Sequence, residues 1–371
     1  MHILFAGGGT AGHINPALAI AGFIKERHPD AKISYIGTAK KLEATLVPRA
    51  GYDFYTIDVV GFSRKLTPKG IAHNLSAVYL AANSSLKVRK ILKEIKPDIV
   101  IGTGGYVSGP VLSAAQKLGI KTAIHEQNAY PGVTTKMLAK KADKVLLAYK
   151  EAEKFLTTKN GCVLTGNPVR QEIINADKAA ARKKLGLDNR PLILSFGGSL
   201  GARPINEAVT AFIKKHNGSH KYYHIHASGK NGYETMLKSF EGTTLSEEIT
   251  LKDYIYDMDV CMAAADIVIA RAGAITLSEI QALGKAAVLI PSPYVAENHQ
   301  FHNAMSLKNV GAADIIEEKD LNEEVFVRTV ERLADNSTLL NAMSENAKKS
   351  AIIDANERIY HEIMELYTKK H

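Results

Sequence analysis

The chain has 371 residues, with 47 Lys and Arg against 38 Asp and Glu, a formal net charge of +9. Hydrophobic residues at 46% and charged residues at 23% fit a folded globular protein of about two domains, and exclude disordered, collagen-like and coiled-coil chains. Two cysteines, Cys162 and Cys261, exclude a disulfide framework and suit a reducing compartment.

Strands are expected, in chain order, at His2–Gly7, Ile33–Gly37, Phe54–Val60, Asp98–Thr103, Lys121–Glu126 and Lys144–Tyr149. They continue at Cys162–Thr165, Leu192–Phe196, Tyr222–Ala227, Ile249–Leu251, Asp266–Ala270, Ala287–Pro291 and Ala313–Ile316. Several are short Val, Ile and Leu runs, as in strands buried on both faces of a parallel sheet. Between them, Pro16–Glu26, Gly109–Leu118, Ala202–Lys215 and Leu321–Leu333 read as amphipathic helices. The alternation implies an α/β fold with doubly wound parallel sheets. The strand, glycine-rich turn and helix start at Leu4–Gly12 return at Leu194–Ala202, which suggests two Rossmann-like domains in tandem. The join is expected near Gly161–Pro168, giving domains at 1–163 and 164–350.

The positive charge is unevenly divided. Residues 1–163 hold 23 basic and 11 acidic side chains, net +12, and residues 164–371 hold 24 and 27, net −3. The first half should face something anionic: nucleic acid, a phosphorylated substrate or an acidic membrane surface. The apolar start, Met1–Ala6, is too short for a signal peptide and lacks a basic leader. The run Gly70–Leu86 is too polar and too short to span a bilayer.

Three glycine loops, Gly7–Gly12, Gly102–Gly109 and Gly197–Gly201, fit close approach of backbone to a phosphate or sugar at a helix N-terminus. Gly7, Gly9 and Gly12 match G-x-G-x-x-G, but the second strand ends at Gly37-Thr38 without the acidic residue a dinucleotide ribose needs. No loop carries the lysine and hydroxyl of a P-loop. His13 follows the first loop at the mouth of its domain. His125-Glu126-Gln127-Asn128 places four polar residues at the end of a strand, where ligands bind in open α/β sheets. Asp257-Met258-Asp259 matches a metal–diphosphate pattern, and equally the acidic start of a helix at Val260–Ala265.

Gly8-Gly9-Thr10-Ala11-Gly12-His13 with Asn15-Pro16-Ala17 resembles the opening of the MurG family, within glycosyltransferase family 28. Gly104–Pro110, His125–Asn128, Gly197–Ala202, Arg271–Ala274 through Ser278-Glu279, and His299-Gln300 with Asn303-Ala304 agree in order over nearly the whole chain. Ala11 stands where that family often has glycine, and Thr135 where asparagine is expected. The resemblance implies a GT-B architecture, two Rossmann-like domains facing across a cleft, with a final helix at 351–371 packing back on the first domain. It implies inverting transfer of GlcNAc from UDP-GlcNAc to the C4 hydroxyl of the muramic acid in lipid I, giving lipid II and UDP.

The implied roles follow. His13 is the candidate base, since an imidazole titrates near neutrality, with His125 in support. The loops at Thr10, Ala11 and Gly12 and at Ser199, with Ala274, Ile275 and Thr276 and a cation at Arg170, would meet the diphosphate. Leu277 and Ser278 belong to the same donor segment. Glu279 suits two ribose hydroxyls, Ile255 is the expected uracil contact through its backbone, and Asn128 and Gln300 would read sugar hydroxyls. Gly104, Gly105 and Tyr106 are assigned to the acceptor. No metal or other cofactor is expected.

A lipid-linked acceptor brings the protein to the anionic inner face of the cell membrane, as a peripheral cytoplasmic enzyme. Ile71, Leu75 and Tyr79, with Arg64, Lys65, Lys69, Lys87, Arg89 and Lys90, would form the docking segment. Cell-wall and division assembly proteins are further expected partners. Two alternatives stand beside this reading: a UDP-GlcNAc 2-epimerase of the same fold, and a nucleic-acid-binding module. The latter lacks any recognisable motif.

Overall fold

The computed structural model of the chain describes residues 1–59, 67 and 84–369. The chain divides into two units, Met1–Pro168 with the C-terminal segment from Asp354, and Val169–Ile353.

The first unit is built on seven strands: β1 (His2–Gly7), β2 (Lys32–Gly37), β3 (Asp53–Thr56), β4 (Ile99–Gly104), β5 (Lys121–Glu126), β6 (Lys144–Leu147) and β7 (Val163–Leu164). They pair in the order β3-β2-β1-β4-β5-β6-β7, and every pairing is parallel. Ile3, Leu4, Phe5, Ile99, Val100 and Ile101 are fully buried, as the continuous apolar runs require. The second unit carries β8 (Leu192–Phe196), β9 (Tyr223–Ala227), β10 (Ile249–Lys252), β11 (Ile267–Ala270), β12 (Ala286–Leu289) and β13 (Ala313–Ile315). Their order is β10-β9-β8-β11-β12-β13, again all parallel. Counted from its own first strand, each sheet therefore runs 3-2-1-4-5-6, with one further strand on the first.

The strands fall where the apolar runs place them. The division between units lies after Pro168 rather than at Val163, because Val163–Leu164 pairs with Leu146 and Leu147 as the last strand of the first sheet.

Two helices start a turn earlier than expected. The helix Ala11–Arg27 holds Pro16 inside it, and Gly105–Lys117 holds Pro110. Proline suits the first helical position, which is why the sequence points to a start there. Here it sits in the second turn. For Pro16 the carbonyl that its ring would press belongs to Gly12, which has no side chain to resist a small tilt.

The final helix, Ala355–Thr368, belongs to the first unit. Ile359, Ile363 and Leu366 share one face and pack with Ile3, Ala17, Ile20 and Ile24. Arg27–Glu357 at 2.5 Å and His28 Nε2 to the Tyr360 hydroxyl at 2.7 Å border that seam.

Candidate active site

In an open parallel sheet, ligands bind beyond the carboxyl ends of the strands where the strand order reverses. That point lies between β1 and β4 in the first unit and between β8 and β11 in the second.

In the first unit, β1 runs into Gly7-Gly8-Gly9 and β4 into Gly104-Gly105. Gly104 and Gly105 have φ of 104° and 75°, a region that side chains disfavour. A Cβ on Gly104 would lie 2.8 Å from His13 Cδ2, and one on Gly105 would lie 2.4 Å from the Gly8 carbonyl oxygen. Glycine at both positions lets the second loop rest directly on the first. Ser108 bridges them, with its Oγ 2.7 Å from the Ala6 carbonyl and accepting Gly104 N–H at 3.1 Å.

His13 stands in the first turn after this loop. Its Nδ1 is 3.1 Å from the Gly8 carbonyl and 3.3 Å from Thr10 Oγ1. A carbonyl only accepts, so Nδ1 carries the proton and Nε2 keeps a lone pair. Among the described residues Nε2 has no hydrogen-bond partner. Thr10, Ala11 and Gly12 are exposed at the helix start. The Tyr106 ring lies beside Gly9, 3.1 Å from where a Cβ would stand, and burial followed by the nearby Glu43 raises its phenol above the ordinary value.

The run His125–Asn128 divides by role. His125 is fully buried, donates from Nε2 to the Gly166 carbonyl at 2.9 Å and accepts at Nδ1 from Gln127 at 3.0 Å. Burial holds its imidazole below the ordinary value. With both nitrogens engaged, it braces Gly166 and Gln127 and offers none to a substrate. Glu126 is also buried and accepts Asn128 N–H at 3.1 Å, Asn128 Nδ2 at 3.0 Å, Gly132 N–H at 3.1 Å and the Thr135 hydroxyl at 2.5 Å. Thr135, where asparagine was expected, thus supplies one of four donors to this carboxylate. Asn128 alone of the four is partly exposed.

In the second unit, β8 leads into Gly197–Gly201, with Ser199 and Leu200 exposed. A Cβ on Gly201 would fall 1.9 Å from the Ser228 carbonyl oxygen, so this loop also packs on another backbone, the turn Ser228–Gly232 after β9. A buried chain of hydrogen bonds lies behind that contact. Asn206 Nδ2 donates to the Ser228 carbonyl at 2.9 Å, so Asn206 Oδ1 accepts from His226 Nε2 at 3.2 Å. His226 Nδ1 then accepts from Ser195 Oγ at 2.7 Å, and Ser195 accepts from His224 Nε2 at 2.7 Å. Burial pushes His226 down to about 3, and burial with the neighbouring His226 and His216 lowers His224 well below its ordinary value.

Beyond β11, Gly273 precedes the helix Ala274–Leu283, whose first-turn amides at Ile275 and Thr276 mark its positive end. The Leu277 side chain is fully buried and its N–H bonds the Gly273 carbonyl at 3.0 Å. Ser278 Oγ donates to the Ala274 carbonyl at 3.1 Å. The Glu279 side chain is 12% exposed, 3.5 Å from the half-exposed Arg170 guanidinium. Burial pushes its carboxyl up, and Arg170 opposes that shift. Gln300 Oε1 accepts Ser292 N–H at 2.8 Å, which leaves its amide nitrogen for a ligand. Glu297 and Asn298, just before it, hold left-handed φ of 54° and 49°, strain of the kind kept at ligand sites. The Ile255 side chain is buried between exposed Tyr254 and Tyr256, whose rings meet edge to face at 5.0 Å.

Asp257 directly precedes the helix Met258–Ala264, and its carboxylate lies 3.5 Å from the Lys252 ammonium. Among the described residues no group of three His, Cys, Asp or Glu is arranged to hold a metal. Arg64, Lys65, Lys69, Ile71, Leu75 and Tyr79 lie outside the described residues. Lys87, Arg89 and Lys90 project from the exposed face of a helix at 84–95, whose Val88 and Leu92 are buried. Two features escaped the sequence reading. Glu43 sits under the first loop with no spacing signal to mark it. The turn Ser228–Gly232 was marked only by its two glycines after a strand.

The family model for the glycosyltransferase family 28 N-terminal domain matches residues 3–147, and that for the glycosyltransferase family 28 C-terminal domain matches residues 192–359. A relative from Acetivibrio thermocellus, named UDP-N-acetylglucosamine--N-acetylmuramyl-(pentapeptide) pyrophosphoryl-undecaprenol N-acetylglucosamine transferase, is 47% identical over 371 residues. The match covers 100% of this chain and 99% of the relative. The crystal structure of Acinetobacter baumannii MurG aligns with a TM-score of 0.79 at 29% identity, covering 98% of this chain and 99% of that one. The UDP-GlcNAc 2-epimerase from Neisseria meningitidis aligns with a TM-score of 0.66, covering 98% of this chain and 100% of that one, but at 14% identity this likeness reaches the fold alone.

The buried histidines set a pH dependence. A histidine at about 3 when folded, against about 6.5 unfolded, binds fewer protons in the folded state. Its contribution is therefore complete above pH 6.5 and is lost as pH falls toward 3. Urea unfolding of the wild type should weaken between pH 6.5 and 4 relative to His226→Gln; parallel pH profiles would refute the assignment.

Proposed function

The chain belongs to glycosyltransferase family 28, and on that premise we propose the chemistry of its two half-sites. It is an N-acetylglucosaminyltransferase that moves GlcNAc from UDP-GlcNAc to the C4 hydroxyl of the muramic acid in lipid I, releasing lipid II and UDP in peptidoglycan synthesis. The observation that carries the mechanism is the His13 imidazole, with Nδ1 committed to the Gly8 carbonyl and Nε2 bare.

Inversion in one step needs a base at the acceptor hydroxyl and stabilisation of the departing diphosphate. His13 Nε2 takes the proton from the C4 hydroxyl as its oxygen attacks C1. The bond from C1 to the diphosphate oxygen breaks, and its electron pair leaves with UDP. Attack opposite the leaving group inverts C1. The helix end at Ile275-Thr276, the Ser199 loop and the Arg170 guanidinium receive the growing negative charge. Glu279, an acceptor at both oxygens, holds the two ribose hydroxyls. Ile255 reads uracil through its backbone, and Asn128 and Gln300 read sugar hydroxyls. Tyr106, Gly104 and Gly105 line the acceptor side, and no divalent metal enters this account.

Steady-state kinetics separate the roles. His13→Ala should lower kcat by about 10² to 10⁴ with the donor KM little changed. Glu279→Ala should raise the donor KM roughly 5- to 150-fold by leaving ribose hydroxyls unpaired. A His13→Ala enzyme with wild-type kcat would remove His13 from the chemistry.

Among the described residues no helix is long and apolar enough to cross a membrane. The lipid-linked acceptor is met by peripheral docking of the first unit on the anionic cytoplasmic face of the cell membrane. The net +12 of residues 1–163 supports this, as do the exposed Lys87, Arg89 and Lys90 on helix 84–95. Each basic residue at such a surface contributes about 1 kcal/mol. Changing all three to Gln should weaken binding to phosphatidylglycerol vesicles and flatten its salt dependence, while turnover of a short-chain soluble lipid I analogue stays near wild type. Undiminished vesicle binding would move the docking face elsewhere.

A further inference from the structure

The peptide unit between Gly8 and Gly9 is held from both sides. Its carbonyl lies 3.1 Å from His13 Nδ1, and its N–H donates to Glu43 Oε2 at 3.3 Å. Glu43 opens the helix Glu43–Arg49 and is 0% exposed. Its other oxygen accepts the Thr38 N–H at 3.1 Å and the Thr38 hydroxyl at 2.7 Å. Among the described residues no cation pairs with it. A buried carboxylate with three neutral donors and no counter-ion is costly, and an apolar side chain of like volume would fill the space without that cost. The surrounding chain is shaped to admit it. A Cβ on Gly8 would lie 2.5 Å from Glu43 Oε1, and one on Gly37 would lie 2.6 Å from Glu43 Cγ.

We propose that Glu43, the Gly8–Gly9 peptide and His13 form a carboxylate–peptide–imidazole relay that supports proton abstraction by His13. The relay deepens the base assignment made above and rests on it. A charged acceptor on a peptide N–H polarises the unit and leaves its carbonyl oxygen more negative, since linked hydrogen bonds reinforce one another in a low dielectric. That oxygen holds Nδ1–H, fixes the tautomer and makes the bare Nε2 a better proton acceptor. When Nε2 takes the proton of the sugar hydroxyl, the imidazolium charge is met through the peptide by the carboxylate. No proton crosses the peptide. Glu43 touches no substrate and is a positioning residue.

Glu43→Gln keeps the volume and one acceptor oxygen and removes the charge. With the full-length enzyme, UDP-GlcNAc and a soluble lipid I analogue, kcat should fall about tenfold, a part of what a positioned base supplies. Both KM values should stay at wild type. In a His13→Ala background the same change should cost nothing further. Wild-type kcat in Glu43→Gln overturns the relay and leaves His13 its role, whereas wild-type kcat in His13→Ala overturns both. An equal loss in the two backgrounds gives Glu43 a function apart from His13 and also overturns the relay. Should Glu43→Gln fail to fold, the imidazole nitrogen shifts of wild-type His13 decide: a protonated Nδ1 and bare Nε2 are expected, and the opposite tautomer overturns the proposal.

Discussion

Where the β4 loop crosses the β1 loop, two backbones meet with no side chain between them. Gly105 would place a Cβ 2.4 Å from the Gly8 carbonyl, and Gly104 would place one 2.8 Å from the His13 ring. That contact fixes the Gly8 carbonyl, the carbonyl fixes His13 Nδ1, and the free nitrogen follows. The ring is positioned by main-chain atoms, which are held by the sheet itself. A side chain at either glycine would move the carbonyl and the ring together, so the placement of the imidazole depends on an absence of atoms.

The two units repeat one strand order but differ beneath their loops. Under the first loop lies a carboxylate, Glu43, and the Gly9 N–H that would otherwise meet an anion is already spent on it. Under the second lies a neutral chain, His224, Ser195, His226 and Asn206, ending on the Ser228 carbonyl against which Gly201 packs. A diphosphate is better served by loop amides over neutral groups than over a buried negative charge. The net charges of the two halves, +12 and −3, show that the excess positive charge lies in the first.

The central strands were legible because they are buried on both faces and so are written as short apolar runs; His2–Gly7 and Leu192–Phe196 stand where the sequence places them. Helix starts were less legible, since Pro16 and Pro110 sit in second turns. The glycine loops could be read because a glycine pattern after a strand marks a close backbone approach, to a ligand or to another loop, and His13 because it directly follows one. Glu43 could not: its partners include a backbone N–H 34 residues away, and such a pairing leaves no mark in residue types. His125 looked like a site residue by its place at a strand end, yet both its nitrogens serve the fold. Sequence position shows which residues stand near a ligand; only the hydrogen bonds show which of them still have a group to offer.

Sugar transfer to a lipid-linked hydroxyl with inversion at C1 leaves a product whose linkage reports both. Its most direct test is the fate of labelled GlcNAc from UDP-GlcNAc, followed with and without lipid I in the presence of EDTA. Label is expected in a lipid-linked, β-linked disaccharide, with one UDP released per sugar moved and neither product formed without lipid I. Free or epimerised sugar appearing without lipid I, or an α-linked product, would contradict it.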